Sequence, residues 1–269
     1  MVSNFKVIDA HCHVYPDKIA AAAVGATDRF YGVTSAFGGS TLELLAQCNE
    51  TGVDHAVIQS VATTPKQVSS INNFIAKTVS EANGKFTGLG TLHPDSENLE
   101  ADVDEIIKLG LHGVKLHPDI QKFKIDDYRC LKIYEICEKK HLPILMHTGD
   151  YRYDYSNPNR LVPVLEIYKD LIIIGAHLGG WSIWEEAAEK LSKFENLFVD
   201  TSSSIPFSNT ETIKKVIKKY GADKVMFATD YPMGNQTFEL GEILKMGFSD
   251  DELAKIFWDN AKKVFRVEA

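Results

Sequence analysis

Along the 269-residue chain, short apolar and β-branched runs alternate with longer stretches whose apolar residues recur at helical spacing. The short runs cover 5–11, 53–60, 86–92, 112–117, 142–147, 171–177, 196–201 and 224–230. Each has the length and composition of a buried strand. Between them, 41–50, 67–83, 98–109, 128–140, 181–194 and 211–220 read as amphipathic helices. Successive strand starts from the second onward lie roughly 25 to 33 residues apart, the length of one βα unit, and eight such units make a (β/α)8 TIM barrel. An open doubly wound sheet shows the same alternation, but with fewer strands and a Gly-rich phosphate turn after the first. The chain has neither a G-x-G-x-x-G nor a Walker motif. The segment 15–39, with Pro16, Gly25, Gly32, Gly38 and Gly39, reads as an extended loop after strand one. The tail from Ser249 reads as one or two helices closing on the barrel wall. With no low-complexity linker to divide it, 1–269 is expected to form a single α/β domain.

Composition narrows the function classes. The chain is 44% hydrophobic and 25% charged, with 29 basic and 37 acidic residues giving a net charge of −8. Nucleic acid and anionic membrane call for clustered Lys and Arg, so neither partner is expected. A small-molecule substrate is. No stretch approaches the ~18 apolar residues of a membrane span, and Asp9 and its neighbouring histidines interrupt the place where a signal peptide would need its apolar centre. These features point to the cytoplasm. Cys12, Cys48, Cys130 and Cys137 form no C-x-x-C pair and read as buried thiols.

The chemistry collects at the carboxyl ends of the strands, where this fold places its active sites. Strand one ends in Asp9-Ala10-His11-Cys12-His13. Side chains alternate along a strand, so His11 and His13 share a face about 7 Å apart at Cα and can grip one metal ion. Other strand ends carry His93, Lys115 with His117, His147, His177 and Asp230. Six of the nine histidines thus converge. Imidazole nitrogen with carboxylate oxygen suits zinc first, with manganese, iron or cobalt open on ligand type.

Five segments in order, Asp-Ala-His11-Cys-His13, Gly-Val-Lys115-Leu-His117-Pro, Leu-Met-His147-Thr-Gly, Ala-His177-Leu-Gly-Gly and Ala-Thr-Asp230-Tyr-Pro, with Asn260-Ala261 near the end, make the chain resemble the amidohydrolase superfamily. The resemblance is to its amidohydrolase-related branch, which includes aminocarboxymuconate-semialdehyde decarboxylase. It implies His11, His13, His147 and Asp230 as ligands of one divalent metal, Zn2+ by default and Mn2+ as the alternative. It places His177 beside a metal-activated water and implies that some members form homodimers. Asp230 would accept the water's proton, with His177 orienting it. Lys115 would offer a cation to a substrate carboxylate. A carboxylated Lys115 bridging two metals is the lesser alternative.

The loop after strand five, with Tyr151 and Arg152, is a candidate for binding a small acid, as are His117 and Trp181, and Ser202 to Ser204 are expected to line the pocket. Arg suits bidentate recognition of carboxylates. The first functional reading is hydrolysis of a small carboxylate-bearing amide, ester or lactone. Non-oxidative decarboxylation of a small cyclic or aromatic acid is second, and a metabolite-sensing protein without turnover is third.

Overall fold

The first strand, β1 (Ile8–His13), is almost wholly buried and carries the two histidines at its end. The computed structural model describes residues 4–268. β2 (His55–Gln59) and β3 (Phe86–Gly88) pair parallel with it in sequence order. The third stave breaks at Leu89 and resumes as β4 (Gly90–Thr91), Leu89 itself donating its N–H to the Ile58 carbonyl at 2.9 Å. β5 (Val114–Leu116), β6 (Ile144–Met146), β7 (Ile173–Gly175), β8 (Leu197–Asp200) and β9 (Val225–Met226) follow, each parallel to the last. The ring closes where the Ala10 N–H donates to the Phe227 carbonyl (3.0 Å) and the His13 N–H to that of Tyr231 (2.6 Å). This is the TIM barrel expected from the eight runs, with β3 and β4 sharing one stave.

Inside the ring, Ile8, Val57, Leu89, Leu145, Ile174, Phe198 and Met226 form a packed interior. Phe265 and Val267, from the end of the chain, plug it from below. The His112 ring N–H donates to the Phe265 carbonyl at 2.6 Å, fastening the plug to the barrel floor. Outside, a larger apolar shell joins the staves to the helices. These are α2 (Thr41–Thr51), α3 (Val68–Glu81), α4 (Leu99–Lys108), the short α5 (Pro118–Gln121), α6 (Tyr128–Lys139), α7 (Pro158–Ile167), α8 (Trp184–Leu191), α9 (Thr210–Tyr220) and α10 (Gln236–Lys245). Several begin at a polar cap that satisfies a free backbone N–H. Asn98 accepts from Ala101, Asp127 from Arg129 and Asn209 from Thr212. The closing segment runs as α11 (Asp250–Ala254), a π-turn and α12 (Asn260–Phe265), as the tail suggested.

Two expectations need correction. The segment after strand one is long but not irregular, because Asp17–Tyr31 forms a 15-residue helix, α1. Its four consecutive alanines are strong helix formers and outweigh the single Gly25. Its true stop is Gly32, which adopts a left-handed φ of 69°. The helices α7 and α10 were not anticipated, since Pro163 interrupts one and Gly241 the other. No helix among the described residues is long and apolar enough to cross a membrane. All four cysteines are buried and free.

Candidate metal centre and active site

The site begins with a defect in β1. Asp9 faces Ala56 but Cys12 faces Ile58, so three residues of β1 match two of β2. This bulge re-phases the strand: Ile8 and Ala10 join the barrel interior, and beyond it His11 and His13 also turn inward. Cys12 packs in the outer shell, opposite to the histidines, as the alternation required. His11 Nε2 and His13 Nε2 lie 3.1 Å apart. Asp230 Oδ1 is 3.3 Å from the first and 3.5 Å from the second.

Each of these groups is held from behind. Asp200, ending β8, takes the His11 Nδ1 proton at 3.0 Å, which leaves the Nε2 lone pair facing its two neighbours. Its other oxygen accepts the backbone N–H of His177 (3.0 Å) and the hydroxyl of Ser202. Asp230 sits at φ 64°, a left-handed conformation that a non-glycine residue adopts at some cost. The Ser203 hydroxyl donates to its Oδ2 at 2.7 Å. Burial is the main cause that holds the His11 and His13 imidazoles well below their ordinary pKa, so both are neutral. Burial also raises the Asp230 carboxyl and lowers the Lys115 ammonium. Lys115 Nζ stands 3.0 Å from His11 Nε2.

Two lone pairs and a carboxylate oxygen are therefore packed together in a buried corner. Ligands bonded at about 2.0–2.1 Å in a tetrahedron lie about 3.3 Å apart, the spacing seen here. The donor set fits a divalent cation. Removing the carboxylate behind His11 should loosen that corner: Asp200→Ala is expected to weaken metal affinity 10- to 100-fold, read by competition with a chelating dye.

His147 and His177 are brought together by two interlocking turns. Gly149, at φ 82°, lies so close to the following turn that a Cβ would come within 2.3 Å of the Gly180 carbonyl carbon. Only glycine fits there. His177 Nδ1 donates to the Ser202 carbonyl at 2.9 Å, leaving Nε2 to accept from His147 Nδ1 at 3.0 Å. That tautomer leaves His147 Nε2 unprotonated, with the Tyr31 hydroxyl 3.5 Å away. The structure gathers His11, His13 and Asp230 into one cluster, while His147 stands in a second with His117 and Asp119, all donor atoms within 4.8 Å in each. His147 Nε2 is 3.2 Å from Asp119 Oδ2, and its ring stacks on His117 at 3.9 Å between centroids.

A cavity of about 600 Å³ opens above both clusters. Lys115, His117, His147 and His177 reach its wall with the His11–His13–Asp230 corner. Other expected residues do not. Arg152 clamps Asp150 with hydrogen bonds of 2.9, 3.2 and 2.6 Å, gives another of 2.9 Å to the Phe30 carbonyl, and lies over the rings of Phe30, Tyr31, Tyr153 and Trp181. Its charge is already answered two residues away. Tyr151 points outward, 72% exposed, and Trp181 packs edge-on against Tyr31 and Phe207 behind the wall. His93 also stands aside, its Nδ1 accepting the Asp95 N–H at 3.2 Å, so five imidazoles converge rather than six.

Sequence reasoning missed Tyr31, whose hydroxyl is 2.7 Å from His117 Nε2, because it belongs to the unanticipated α1. It also missed Asp200, although the rule that inspects each strand's end would have found it. Ser202 and Ser203 were expected to line the pocket; they act instead behind it, on His177 and Asp230.

Beneath this region Glu239 of α10 is fully buried. Burial first, then Asp9 and Asp230, hold its pKa well above the ordinary glutamate value. The folded state therefore binds a proton that the unfolded chain gives up above its own pKa near 4.3. Stability is lost as pH rises through that window, by up to about 1.4 kcal/mol per pH unit. Glu239→Gln should be more stable than the parent at pH 8, with the advantage shrinking toward pH 5, as followed by urea unfolding.

With the barrel and its buried His–Asp corner in view, comparison with known proteins defines the class: the Amidohydrolase family profile matches residues 8–267, and the chain belongs to that family. Among curated relatives, the 2-amino-3-carboxymuconate-6-semialdehyde decarboxylase of Dictyostelium discoideum is 23% identical over 65% of this chain. The match spans 57% of that protein's length. Among solved structures, the 5-carboxyvanillate decarboxylase of Sphingomonas paucimobilis superposes with a TM-score of 0.77 at 17% identity, covering 98% of this chain and all of the other. A dihydroxybenzoic acid decarboxylase from Polaromonas sp. JS666, solved with bound manganese and the inhibitor 2-nitroresorcinol, gives 0.75 at 16% identity and 97% coverage of both chains.

Proposed function

We propose that this protein is a metal-dependent, non-oxidative decarboxylase of a small aromatic or cyclic carboxylic acid. The observation that carries the reading is the buried His11–His13–Asp230 corner in a largely apolar cavity whose wall, among the described residues, contains one Lys, Lys115, and no Arg. The names of the relatives support decarboxylation over hydrolysis, the reading that the sequence put first. His147, whose Nε2 is unprotonated in this arrangement, would turn from the second cluster to complete the ligand set. Either zinc or manganese suits three imidazoles and a carboxylate. Bound there, the cation supplies positive charge that anchors and polarises the oxygens of the substrate acid.

The chain's own groups account for the rest. Lys115 faces the carboxylate and orients it. Loss of carbon dioxide breaks the bond to the ring carbon and leaves the electron pair there, so a proton must arrive at that carbon. Asp230, which faces the same corner, is the group that passes it there, and Ser203 holds its second oxygen in position. His177, fixed by Ser202 and Asp200, orients the substrate beside it.

Screening carboxyl-labelled benzoic and other cyclic acids for released carbon dioxide, alongside lactones and N-acyl compounds, tests the reading. Carbon dioxide from an acid supports it. Turnover confined to lactones or N-acyl compounds overturns it. Lys115→Met should raise KM for the active acid by at least about tenfold, since a charge-assisted contact of 1.5–3 kcal/mol would be lost.

A further inference from the structure

From the shape and wiring of the cavity we infer that the substrate acid carries an extended, uncharged apolar substituent, which occupies a slot between α1 and α3. The inference rests on the proposed function in one respect, that the carboxylate faces Lys115 and the metal corner.

Size is the first argument. A cavity of about 150 Å³ suffices for benzene. This one holds about 600 Å³, about four times that. Its lining includes Ile19, Ala23 and Val24 of α1 and Ile71 and Phe74 of α3, an apolar stretch on elements other than those that carry Lys115 and the His11–His13–Asp230 corner. Ile19 is 50% exposed, an apolar side chain at the rim where the slot meets solvent.

Five hydroxyls that line the cavity, those of Thr27, Ser35, Ser60, Thr63 and Ser70, are turned back on the protein. The Thr27 hydroxyl donates to the Ala23 carbonyl at 3.3 Å, and that of Ser35 to Asp28 at 2.6 Å. Ser60 donates to the Val14 carbonyl, Thr63 to Gln67 at 2.9 Å and Ser70 to the Gln67 carbonyl at 3.0 Å. A polar substituent would lose water and find these donors engaged. Among the described residues, the wall holds one Lys and no Arg. One carboxylate is matched and a second is not. The slot therefore selects a monoacid with a hydrocarbon arm and rejects a diacid.

Calorimetric titration of the metal-loaded full-length protein tests this without turnover, using benzoate, 3-butylbenzoate, 4-butylbenzoate and terephthalate. Each methylene that enters the slot should tighten binding about fourfold. At least one butyl isomer should therefore bind at least about thirtyfold tighter than benzoate, and terephthalate should bind more weakly than benzoate. In Ile71→Asp the ratio of butylbenzoate to benzoate affinity should fall below about fivefold. A wild-type ratio under threefold for both isomers, or terephthalate binding as well as the butyl acids, overturns the inference even if carbon dioxide release from smaller acids upholds the decarboxylase. Tight butylbenzoate binding without carbon dioxide release from any acid upholds the slot while the reaction assignment fails. An unchanged ratio in Ile71→Asp removes the substituent from this slot.

Discussion

Asp230→Asn is expected to lower kcat by about a thousandfold or more, measured at metal concentrations that keep the site filled. The size follows from two roles carried by one side chain. Asp230 contributes Oδ1 to the cluster with His11 and His13, and it is the buried acid proposed to give up a proton. Positioned proton transfer is worth about 10² to 10⁴ in rate. Asparagine keeps the shape and a ligand oxygen but has no proton to deliver, so metal content should persist while turnover disappears. Ser203→Ala offers the graded contrast, because it removes only the hydrogen bond at Oδ2. Parental rates for Asp230→Asn with metal bound would reject the assignment.

Chelation is expected to abolish turnover completely and to lower the thermal midpoint, with both restored by adding zinc or manganese back. Stability gained from a bound ligand scales as RT ln(1 + [L]/Kd), about 4 kcal/mol at a thousandfold excess over Kd. Without the cation, the His11–His13–Asp230 corner loses what its donor atoms converge on. Calorimetric scans before and after chelation, with activity from the same samples, check this result. Full activity and an unchanged midpoint after chelation would separate catalysis from the metal.

Much of this was legible in the sequence because the fold writes itself locally. Strand runs such as 142–147 carry their own apolar signal, and helix starts such as Asn98 and Asn209 carry their own caps. The cluster of His11, His13 and Asp230 was legible because a barrel brings strand ends to one mouth whatever the details of its loops. The failures have a common cause. Arg152 looked free on the strand-five loop, but Asp150 two residues earlier captures its fork, a pairing set by local backbone geometry. The bulge in β1 depends on how β2 and β9 accept the strand, and no single-strand pattern reveals it. The 15–39 segment was misread because Pro16 and Gly25 outweighed its alanine run in the reading, though not in the folded chain. Tyr31 and the whole α1 wall of the cavity were hidden with it.

The central claim is that this chain's imidazoles and Asp230 hold a divalent ion. Elemental analysis of the purified protein, beside a His11→Ala/His13→Ala variant dialysed under the same conditions, tests it most directly. One metal per chain in the parent and almost none in the variant is the predicted result. Equal metal content in the two proteins, or a parent that binds no divalent ion, would contradict it.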